Sequence, residues 1–113
     1  MILPLFLASF AAQLSPNSPQ IARAGDLLAE WQLCLVDHYN ARHTDPTEVA
    51  TVIDEAFDRC AGGEAALRNQ IASFSSPLAA DNFLAELKPQ KRDELIATAT
   101  EARRLREQSE RPR

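Results

Sequence analysis

The chain of 113 residues has the length of one domain, and its 45% apolar and 25% charged residues exclude a chain disordered throughout. Only three glycines and 6% aromatics exclude collagen-like and aromatic-caged designs. The net charge of −4 divides into an uncharged start (1–22), an acidic body (23–87, four basic against eleven acidic) and a mildly basic tail (88–113, eight basic against five acidic), which is not the clustered basic face of a nucleic-acid binder.

Residues 2–12, Ile2 through Ala12, form an apolar run with the length of a signal-peptide core. The run is too short for a stable membrane span, which needs roughly 20 apolar residues. Ser9 and Ala11 place small side chains at −3 and −1 of a cut between Ala11 and Ala12. Residues 13–20 are polar and turn-prone, as a cleavage region should be. The run lacks the usual leading Lys or Arg. Either the true start lies upstream of Met1, or the run is not a signal; the alternatives to export are an apolar N-terminal helix packed on the core of a cytosolic adaptor and an uncleaved membrane anchor.

The first helix is expected from Ser18, with Pro19 at its first position. Ala24, Leu27, Leu28, Trp31, Cys34 and Leu35 recur every three or four residues and define its apolar face, ending near Arg42. Tyr39 is expected to put its ring in the core and its hydroxyl in water. The second helix is expected from Asp45 as cap, with Pro46 in the first turn and Glu48 completing a capping box. Val49, Val52, Ile53, Ala56, Phe57 and Cys60 then form one apolar stripe, and Gly62-Gly63 ends or bends the helix. Asp54, Glu55 and Asp58 are read as a solvated acidic face.

Cys34 and Cys60 are the only cysteines, and both fall on the faces where two antiparallel helices meet. An even cysteine count in a short, exported chain favours a Cys34–Cys60 disulfide. With the second helix starting at Asp45, that helix must overhang the first by roughly 9 Å, so closure through residues 43–45 is tight. The competing reading is a metal-binding or thiol-redox site built from Cys34, His38, His43 and Cys60. Its spacing lacks the short paired hooks of zinc sites.

Three further helical runs follow. The third carries Ala66, Leu67, Gln70, Ile71 and Phe74. The fourth starts at Ser76-Pro77 and offers Phe83, Leu84 and Leu87 to the core, with a boundary at Lys88-Pro89. The fifth uses Leu95, Ile96, Ala99, Ala102 and Leu105 and ends at Pro112. In the tail Arg103 and Glu107, Arg106 and Glu110, and Glu107 and Arg111 stand four apart, the spacing of ion pairs along a solvated helix face. A docking tail is the alternative. Period-2 strand patterns are missing throughout.

The expected fold is all-α, a small bundle of four to five short helices with a disulfide-linked N-terminal helical hairpin. Its organisation is a signal peptide over 1–11, a flexible polar segment over 12–18, a helical domain over 19–106 and a charged tail over 107–113. Catalysis needs a nucleophile beside a base, and adjacent Asp37 and His38 point about 100° apart on a helix. The expected protein is therefore exported, periplasmic or extracellular, and non-catalytic. It needs no cofactor and acts by contact with a protein or envelope component. The sequence fixes neither partner nor oligomeric state.

Overall fold

The computed structural model describes residues 18–111. The expected signal peptide, its cut at Ala11 and Ala12, the polar segment up to residue 17 and the stop at Pro112 lie outside the described residues. Among these the fold is all-helical: α1 (Ser18–Ala41), α2 (Val49–Arg59), α3 (Ala61–Phe74) and α4 (Pro77–Glu110). None of the described helices is long and apolar enough to cross a membrane.

The periodicity of α1 holds at four of its six expected positions, while Leu28 is half-buried and Cys34 exposed. Ala24, Leu27, Trp31 and Leu35 are buried, and Trp31 and Leu35 are fully so. They meet Ala56, Cys60, Leu67 and Leu84 in the main apolar cluster. Val49, Ile53 and Ala99 form a second cluster at the other end of α2, bordered by Tyr39, Phe57, Leu95 and Ile96. Helices α2 and α3 run between α1 and α4, each of which packs on both.

Three boundaries differ from expectation. Helix α2 starts at Val49 rather than Asp45, and Glu48 stands at its N-cap without a side-chain hydrogen bond. Asp45 is occupied elsewhere: its carboxylate accepts the Thr47 backbone N–H two residues on (2.8 Å), closing a loop instead of capping a helix. Next, the chain bends at Cys60, before the glycines, and both glycines belong to α3. The Cys60 N–H donates to Ala56, and its carbonyl accepts from Gly63 and Glu64. Gly63 lies against Trp31, whose Cδ1 would sit 3.5 Å from an added Cβ.

The third difference is Pro89. The expected fourth and fifth runs are one helix with Pro89 inside it. A proline removes one intrahelical bond and disfavours helix before it, but that bias is local. Here both flanks are packed into the apolar clusters, Leu84 and Leu87 before Pro89 and Leu95 and Ala99 after it, and the surface pairs of Lys88 with Glu64 (3.0 Å) and Arg92 with Asp54 (2.7 Å) add to that. The start of α4 matches its signal: Ser76 Oγ accepts the Ala79 N–H at 3.0 Å, and Pro77 follows the cap. Not every apolar position of this helix reaches the core. Leu84 and Ala99 are buried, whereas Phe83, Ala102 and Leu105 are exposed.

Candidate functional site

The two cysteines form a disulfide, with Cα atoms 6.0 Å apart. The later start of α2 removes the tight register expected for it. Cys34 stands seven residues before the end of α1, roughly 10 Å, and Cys60 eleven after Val49, roughly 16 Å. The overhang falls to about 6 Å, and residues 42–48 span it rather than three residues. The two halves of the bridge differ in setting. Cys60 is 2% exposed within the main cluster, while Cys34 is exposed. An open depression of about 540 Å³ lies over them, bordered by Leu33, Asp37, His38 and Arg59.

The alternative ligand set is not assembled. Both sulfurs are bonded to each other and are not thiolates. His38 Nε2 faces Glu55 Oε2 at 3.8 Å. His43 is exposed in the loop, with Nδ1 2.6 Å from the Asn40 carbonyl oxygen. Among the described residues no three His, Cys, Asp or Glu side chains are gathered as a metal site.

A second cluster, at the loop between α1 and α2, was not visible as a unit in the sequence. Arg42 donates to Asp45 Oδ2 (2.9 Å) and pairs with Glu55. Arg103 reaches across from α4 and donates to the Thr47 and Asp45 carbonyls (3.0 and 3.1 Å). Arg106 donates to the His43 carbonyl at 2.7 Å. Hydrogen bonds from Thr47, through its side chain and then its backbone, and from Arg42 hold the Asp45 carboxyl well below the usual carboxylate range.

This arrangement corrects two expectations. The tail arginines 103 and 106 clamp a loop of their own chain instead of pairing along α4, and Arg104 pairs with Glu101 (2.6 Å). The acidic face of α2 is likewise partly engaged. Asp54 pairs with Arg92, which lowers its carboxyl pKa, and Glu55 pairs with Arg42, leaving Asp58 exposed. Tyr39 also departs from expectation: its hydroxyl donates to the Ala99 carbonyl at 3.4 Å. Trp31 is core, edge-on to Phe57 at 5.8 Å. The arginine contacts gave one faint signal, arginines three apart near the end of a helix. Their acceptors are backbone carbonyls, which carry no residue-type signature.

The chain matches no protein-family model, no curated protein and no solved structure.

Proposed function

We propose that this chain is an exported, non-catalytic protein that works by contact with another protein or envelope component. In this reading α1 and α2 are a disulfide-linked hairpin in a small helical bundle. The observation that carries it is the Cys34–Cys60 bridge, a cross-link suited to an oxidising compartment. The uncharged run over 2–12, with Ser9 and Ala11 before Ala12, supports export. Leu33, Val36, Leu78 and Leu105, apolar and exposed, supply surface for the contact. Asp45, Asp54 and Glu55 are engaged in structural contacts, which fits a protein without a reaction to perform.

The test is the state of the native protein. The chain recovered from its own cells should begin at Ala12, lie outside the cytoplasm and weigh less than its reduced form by the two hydrogens lost on bridging. A cytoplasmic chain that keeps Met1 and has two free thiols, with or without bound zinc, overturns the reading.

A further inference from the structure

We infer that Cys34 is the exchange site of the bridge: external thiols form and open the disulfide through Cys34 and not through Cys60. This goes beyond export and holds whether or not residues 1–11 are removed.

Thiol–disulfide exchange is a displacement at sulfur. The attacking thiolate must approach the struck sulfur from the side opposite the leaving one, so open space at each cysteine decides which is attacked. Cys34 has that space. It is exposed on α1, beside Leu33, which is 60% exposed, and beneath the open depression. Cys60 lacks it. It is 2% exposed and clustered with Trp31, Leu35, Ala56 and Leu67, at the bend joining α2 to α3. An attacker could reach its sulfur only by displacing this packing, which is close to local unfolding.

The exchange balances as follows. An external thiolate attacks Cys34 Sγ, a bond forms between them, and the Sγ–Sγ bond breaks. Cys60 leaves as a thiolate and takes a proton from water. A second external thiol displaces the first from Cys34, so two external thiols are oxidised to their disulfide while the bridge is reduced. Bridge formation is the reverse: the Cys60 thiolate attacks the mixed disulfide on Cys34 and expels the external thiolate. A partner that installs the bridge is therefore an external thiol–disulfide couple that docks on the Leu33–Cys34 side of α1.

The test maps the first adduct on the oxidised full chain. Folded protein is exposed to reduced glutathione, quenched in acid, unfolded, alkylated and digested with trypsin. Cleavage after Arg23, Arg42, Arg59 and Arg68 puts Cys34 and Cys60 on separate peptides. Glutathione should be found on Cys34 and the alkyl group on Cys60, with a bias of at least about tenfold, and the bias should fall to about twofold or less in denaturant. Equal labelling, a Cys60 adduct, no adduct on the folded protein, or a bias that survives unfolding each overturns the inference. Single variants give a second measure. The thiol left in Cys60→Ser should react with a chromogenic disulfide in the folded state, and that left in Cys34→Ser only on unfolding. Matching rates overturn the inference.

Discussion

At Cys60 the chain passes from α2 to α3 around one residue, and the surroundings are apolar: Trp31, Leu35, Ala56 and Leu67. Between Ala41 and Val49 it takes seven residues to pass from α1 to α2, and the surroundings are polar: Arg42, Asp45, Thr47, Arg103 and Arg106. Apolar contact is non-directional and scales with area removed from water, so the first region resists separation of the helices. Hydrogen bonds are directional, so the second sets where α2 begins and how far Cys60 stands along it. The disulfide depends on both. The loop supplies the register, and the apolar junction supplies the closeness.

The largest expected effect belongs to the apolar junction. Trp31→Ala removes a fully buried side chain that packs on Phe57 and Gly63, and should cost about 3–5 kcal/mol in chemical denaturation. A cost under about 1 kcal/mol would mean the junction collapses around the gap and is not the centre of stability. Reduction of the bridge comes next. The cysteines are 26 residues apart, and the chain-entropy model gives about 3.5 kcal/mol for a closure of that size. Oxidised and reduced protein compared under the same urea gradient should differ by that order. Equal midpoints would show that helix packing alone already confines the loop.

Legibility followed the same divide. Stripes of apolar residues announced the junction. Trp31 and Leu35 fell on one face of α1, and Cys60 closed a run from Val49 that kept helical spacing throughout. The cap at Ser76 was readable because its partner, the Ala79 N–H, is three residues away. The loop was not readable. Asp45, Pro46 and Glu48 spell a capping box, but the Asp45 carboxylate is taken by Thr47 and Arg42, and α2 begins four residues later. Local pattern also misjudged Pro89, because the residues that Leu84, Leu87, Leu95 and Ala99 pack against on its two flanks are remote in sequence. The inequality of the two cysteines was hidden as well. Both sit on apolar stripes, and only the packing of the helices together leaves one covered and the other open.

A narrower break comes from the polar side. Arg103→Met keeps the aliphatic stem of a half-buried side chain but removes both donors to the Asp45 and Thr47 carbonyls. The expected loss is about 1.5–3 kcal/mol, the range for hydrogen bonds to a charged group. Hydrogen exchange should localise it. The Asp45 and Thr47 amides, bonded to the Arg42 carbonyl and the Asp45 carboxylate, should exchange faster, while Cys60 and Glu64 keep their protection. Equal acceleration at both places would erase the distinction between the regions.

The smallest effect is in acid. In the fold Asp45 holds its proton less tightly than in the unfolded chain because Thr47 and Arg42 favour the carboxylate. A depressed native pKa means that the stabilisation is complete above the unfolded value, about 3.9, and is lost as pH falls through the lower native value. Asp54, Asp81 and Glu101 act in the same direction through Arg92, Arg68 and Arg104. Acid should therefore weaken the wild-type fold, and only modestly, since these groups lie at the surface where water and salt screen them. Asp45→Asn isolates one contribution. The variant should be less stable than wild type at neutral pH, and the gap should narrow as pH drops below about 4, because protonation takes from wild type what the substitution has already removed. Denaturation curves at neutral pH and in acid measure that gap. A gap unchanged by pH would mean that Asp45 acts in the loop by shape and hydrogen bonding alone, with no part played by its charge.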